Sequence, residues 1–190
     1  MVPVASKSAR RPGLRRPSTS PMLPFVHFDL PALLRLVVSR HFPGIEVMVS
    51  VSFMQAPLSR TESLASVRVG DRTAGIRIHE ILNRSDTPRE VIEFILGHEV
   101  LHIRVPPREI DGRIVPHPPE FWEEEGRLFP TRSLVWAWLH TALWPRLKLD
   151  KQREATMVKR GWQNGVHSPF PTLEDVRAIT EADAEVVRYI

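Results

Sequence analysis

Residues 97 to 102 read GHEVLH. His98 and His102 stand four apart, which on an α-helix sets both imidazoles on one face, one turn from each other. That separation suits two corners of a tetrahedron around zinc, with zinc–nitrogen distances of about 2.0–2.1 Å. Glu99 points about 100° further round the axis, poorly placed to be a third ligand and well placed to reach a water on the metal. Two ligands and one general base are the mechanical content of H-E-x-x-H, and the chemistry they imply is hydrolysis by an activated water. The bland alternative is a satisfied pair of histidines on a surface helix.

A catalytic site of this kind needs a third protein ligand and one open position. The chain has 190 residues and no cysteine, so His, Asp or Glu must supply that ligand. The same absence excludes disulfides, thiolate zinc ribbons, iron–sulfur clusters and a cysteine nucleophile. The metzincin spacing would place glycine at 105 and histidine at 108; the residues there are Val105 and Arg108. The next histidine downstream is His117, at the head of HPPEFWEEE, and residues 103 to 116 are long enough to fold it back over the metal.

The helix that must carry GHEVLH has a clear start. Thr87-Pro88-Arg89-Glu90 reads as a capping box with proline at the first helical position. Val91, Ile92, Ile95, Leu96, Val100 and Ile103 form its apolar face, and Pro106-Pro107 ends it. Upstream, Asp29 and Pro31 open a helix with Leu33, Leu34, Val37 and Val38 on one face, stopped by Pro43-Gly44. Strands follow at 45–53, 62–69 and 73–82, the last two as a hairpin around Gly70-Asp71-Arg72. After a loop in the 110s, Pro118-Pro119 opens the helix EFWEEEGRL. Further helices are predicted over Ser133–Trp144, Lys148–Trp162 (a charged one) and Thr172–Tyr189.

The fold class is α+β: a small antiparallel or mixed three-stranded sheet packed on the HExxH helix, with additional C-terminal helices. Residues 1–24 read as a disordered basic tail, 25–146 as the catalytic domain and 147–190 as a helical extension.

HEVLH, fourteen residues, then HPPEFW together resemble the SprT-like (Spartan-type) zinc metallopeptidases. The strand GIRIHEIL and the run TPREVIEFILGHEVLH are similar to that family as well, and the likeness spans roughly residues 30 to 130. It implies a zincin-like fold, Zn2+ held by His98, His102 and His117, and Glu99 as the catalytic base. It also implies Phe121 and Trp122 packed behind the third ligand, and a protein or peptide substrate, in this family one associated with DNA. Two departures stand out. Members often carry a cysteine zinc ribbon, which this chain lacks, so a DNA role attributed to that ribbon has no support. Where an asparagine-like residue is expected at the strand end before the active helix stands His79, read as a strand-end histidine near the cleft rather than a fourth ligand. An extended substrate could add to that strand.

A second donor for the oxyanion is not placed by the motif; Arg113, His140 and His167 are candidates, and the only tyrosine, Tyr189, is next to the last residue. Glu120 could accept the second ring N–H of a ligand histidine, whereas Glu123, Glu124 and Glu125 read as a solvated helix start. Trp136, Trp138, Trp144 and Trp162 are expected in the core rather than as a stacking platform for single strands. Lys148, Lys151, Arg153, Lys159 and Arg160 interleave with Asp150 and Glu154 as a solvated face.

The net charge of +4 is more than covered by Lys7, Arg10, Arg11, Arg15 and Arg16 of the tail, which offers non-specific DNA contact through phosphates. No apolar run reaches the length of a bilayer span, and the N-terminus lacks a secretory h-region. The expected setting is cytoplasmic, with nucleoid association open through the tail. The competing reading is a nucleic-acid-binding or scaffold module with a structural or degenerate metal site, against which the intact Glu99 counts.

Overall fold

The computed structural model describes residues 26–55, 60–151, 154–164 and 169–182. The basic tail, Arg153, His167 and Tyr189 lie outside the described residues. Helix α1 spans Leu30–His41. The Asp29 carboxylate accepts from the Ala32 amide at 3.0 Å, satisfying one of the unpaired N–H groups of the first turn. Leu30, Leu33, Leu34 and Val37 are buried on one side of it.

Strand β1 is Met48–Met54, β2 Glu62–Ser63, β3 Ala65–Val69 and β4 Thr73–His79. They form a mixed sheet in the order β1-β4-β3. β1 runs parallel to β4, with Val51 opposite Ile76, and β3 antiparallel to it, with Val67 opposite Ile76. β4 is central, and its Ala74, Ile76 and Ile78 are buried in the core. It ends at His79, not at residue 82. The His79 Nδ1 accepts from the Ile81 amide at 3.0 Å, which turns the chain into a single 3-10 turn and buries Ile81 and Leu82.

Helix α2, Arg89–Arg104, packs against α1 and the β3 and β4 face of the sheet. The expected capping box does not form. The Val91 amide bonds to the Pro88 carbonyl at 3.1 Å, so Pro88 is the cap residue, and Thr87 is one place too early and buried. Helices α3, Pro119–Leu128, and α4, Arg132–Leu143, both pack against α2. α5, Leu173–Ala182, is opened by a reciprocal cap: Thr172 Oγ1 accepts from the Asp175 amide, and the Asp175 carboxylate accepts from the Thr172 amide.

Two segments differ from the sequence reading. The 110s loop contains a hairpin, β5 Arg108–Ile110 and β6 Arg113–Val115. Its two central residues, Asp111 and Gly112, have φ of 50° and 73°, the left-handed pair that an Asp-Gly turn provides. The charged helix over Lys148–Trp162 is absent; β7, Leu147–Asp150, and β8, Ala155–Val158, pair antiparallel there. β8 also bonds to β2, giving a second three-stranded sheet, β2-β8-β7. Leu147 and Val158 face each other and are both buried, so this apolar pair seats the hairpin on the core while Lys148 and Leu149 stay exposed. The first half of the expected helical extension is therefore a hairpin, and α5 follows it.

Candidate metal centre

α2 is buried nearly all round, from Val91 to Leu101. That fixes its rotation and turns His98, Glu99 and His102 toward a cleft of about 1730 Å³. Gly97 lets this happen: a Cβ there would lie 2.0 Å from Phe129 Cζ, so the tip of the Phe129 ring closes on the helix one residue before His98.

The third histidine comes from the other side. The β5–β6 hairpin takes up the residues between His102 and His117, and Pro118 and Pro119 start α3 directly after it. One ring nitrogen from each of His98, His102 and His117 lies within 4.8 Å of the others. The His98 and His117 Nε2 atoms are 3.2 Å apart. Two nitrogens on one zinc at about 2.0–2.1 Å and a tetrahedral angle would stand about 3.3–3.4 Å apart, so the donor set fits such an ion with little adjustment. Phe121 and Trp122 pack on His117 at 4.8 Å between centroids each.

Protonation is set by the surroundings. The His98 Nδ1–H donates to Glu125 Oε1 at 2.6 Å, so in neutral His98 the lone pair sits on Nε2, facing the other imidazoles. Burial opposes a charge on His98, but the Glu125 hydrogen bond, with the Glu99 and Glu125 charges, outweighs it and raises its pKa. His102 is pushed down to about 3 by burial and by the charges of His98 and His117. His117 is lowered by burial and His98, against the pull of Glu154 and Glu125. His102 and His117 are thus neutral at pH 7, with lone pairs available to a cation. Glu99, 5 % exposed, is raised to about 7 by burial, opposed by the charge of His98. A bound cation would draw it back down.

Glu125 is the residue that sequence reasoning assigned to solvent. It is fully buried, and Arg132 lies 3.6 Å from its second oxygen. The available signal was helical phase: Glu125 stands four residues after Phe121 and shares its inward face of α3. Glu120, the other candidate for that role, pairs with Arg108 at 2.6 Å on the outside. His79, the last residue of the central strand β4, is 1 % exposed with its ring edge-on to Trp162 and does not line the cleft. Of the remaining oxyanion candidates, His140 lies on the cleft wall, whereas Arg113 is on the exposed β5–β6 hairpin and does not line the cleft. Trp138 is buried and donates to the Pro171 carbonyl; Trp144 is 57 % exposed, with Lys159 over its ring.

The strand at the cleft is β3, not β4. β4 is paired on both sides, while Ala65, Ser66 and Val67 of β3 line the cleft. The β3–β4 bonds fall at Leu64 and Gly70, so by the alternation of an antiparallel pair the backbone groups of Ala65, Val67 and Val69 point away from β4.

No family model matches the chain, and no curated protein matches it. A crystal structure of the metallopeptidase zymogen of Pyrococcus abyssi abylysin aligns with 53% of this chain and 80% of its own length, at 21% identity and a TM-score of 0.37. A likeness of that size bears no weight on function. Among the described residues no helix is long and apolar enough to cross a membrane.

Proposed function

We propose that this protein is a zinc metallopeptidase of the HExxH class, similar to the SprT-like enzymes, that hydrolyses peptide bonds in extended polypeptide. The observation that carries the reading is the convergence of three imidazoles from α2 and the start of α3 beside one buried carboxylate in an open cleft. His98, His102 and His117 would hold the ion. Three nitrogen ligands suit Zn2+, which when bound supplies a Lewis acid for the scissile carbonyl. Glu99 takes a proton from the attacking water and hands it to the departing amine nitrogen. Glu99 is buried beside the histidines, where its carboxylate can accept the proton of the water and release it to the amine. The free edge of β3 offers an extended peptide a row of backbone partners beside the histidines.

The test has two parts. Purified protein should contain one zinc per chain, and His117→Ala should lose it. Glu99→Gln should keep the zinc and lose cleavage of a quenched-fluorescence peptide library. Cleavage by that variant at the parent rate, or a parent protein without stoichiometric metal, would overturn the reading.

A further inference from the structure

The β7–β8 hairpin does more than extend a sheet. We propose that its Glu154 is a positioning residue for the metal centre, the carboxylate that orients His117; this rests on the metal-centre reading above. The two ring nitrogens of an imidazole are coupled: for Nε2 to offer a lone pair, Nδ1 must carry the proton and needs an acceptor. His98 meets that need with Glu125. His117 Nδ1 is buried and has no hydrogen-bond partner among the described residues. The Glu154 carboxylate stands 3.4 Å from that nitrogen, while the opposite ring nitrogen is the one facing His98. A shift of a few tenths of an ångström completes the bond.

The backbone carries an independent mark. Glu154 has φ of 48°, a left-handed conformation that a residue with a long side chain adopts only when its surroundings hold it there. They do: Asp150 pairs with Ala155 and Lys148 with Met157, and β8 is tied to β2 through Ser63 and through the Leu64 amide, which donates to the Thr156 carbonyl at 2.8 Å. A turn needing only to reverse the chain would favour glycine at that φ. Glutamate there places a charge against the third histidine from a segment 37 residues downstream of it (154 − 117).

Zinc titration of the full chain against a chelating dye tests this, comparing the parent with Glu154→Gln and Glu154→Gly. All three should bind one zinc per chain, and both variants should bind it about 10- to 100-fold more weakly. Glycine also relieves the φ, so the metal-free Glu154→Gly protein should melt at the same temperature as the parent or higher. A purely structural role would instead lower melting temperature and affinity together, and a chance surface contact would leave affinity at the parent value; either result overturns the proposal. A parent chain that binds no zinc at all would overturn the metal centre itself, which separates the two failures.

Discussion

Gly97→Ala is the most exacting test of how α2 is held. Alanine is the better helix former by about 0.8–1 kcal/mol, so on an exposed helix this change would stabilise. Here the new Cβ would lie 2.0, 2.6 and 2.9 Å from three ring carbons of Phe129. Carbon atoms in contact settle at about 3.5–4.0 Å, so the ring or the helix must retreat by roughly 1.5 Å. The ring has little room. Phe129 is buried, edge-on to Phe94 at 5.6 Å between centroids and against His41 at 4.8 Å. Overpacking of a filled core costs about 1–3 kcal/mol, and a contact this short belongs in the upper part of that range. Subtracting the propensity gain leaves a net loss of about 1–2 kcal/mol, or a few degrees in melting temperature for a domain of this size. Urea unfolding measures it directly. The cause is checked by a double-mutant cycle: in a Phe129→Leu background the same substitution should cost much less. A Gly97→Ala protein as stable as the parent would refute the packing argument, and equal costs in both backgrounds would refute Phe129 as its origin.

Glu125→Gln keeps the shape but replaces the charged acceptor of the His98 Nδ1–H, 2.6 Å away; zinc affinity should fall by about tenfold or more, and an unchanged affinity in a competition titration would remove Glu125 from the centre. His79 is buried and neutral, its pKa lowered from 6.5 to about 4 by desolvation. Between those values the unfolded chain binds the extra proton, so stability is fully present above about pH 6.5 and falls as the pH drops toward 4. The loss is about 2–3 kcal/mol by pH 4.5. Urea midpoints for the parent and His79→Gln across that window should converge as the pH falls, and parallel curves would show that His79 does not titrate there.

Much of the centre could be read from the chain. An i, i+4 pair of histidines on a segment whose apolar residues recur at helical spacing has one geometry available to it, and α2 runs where Val91, Ile92, Ile95, Leu96 and Val100 put it. The hairpin around Gly70-Asp71-Arg72 followed from alternation and turn chemistry, as did the half-buried side of β1, Val49, Val51 and Phe53, against the exposed Ser50 and Ser52. These are local regularities, fixed by a few neighbouring residues.

What failed was decided at long range. Lys148–Trp162 has the charge pattern of a solvated helix, but β8 finds a partner in β2, about 95 residues earlier in the chain, and strand pairing of that kind leaves no trace within a local window. The acids of α3 are an intermediate case, since the four-residue phase from Phe121 is a local sign for Glu125 but its partner is not. Glu123, Glu124 and Glu125 are indistinguishable as letters, yet only Glu125 faces inward, because Phe121 sets the rotation of α3 and His98 waits on α2 with a ring N–H to donate. His117 illustrates both halves. Its type and its place before Pro118-Pro119 marked it from sequence, whereas its approach to His98 at 3.2 Å depends on the β5–β6 hairpin, the packing of α3 on α2 and the arrival of β7–β8 beside it. The sequence alone determined which groups could do chemistry and on which helix they sit, since those follow from side-chain type and backbone period. Only the tertiary structure decided which carboxylates face them, because burial of a charge is set by what packs against it.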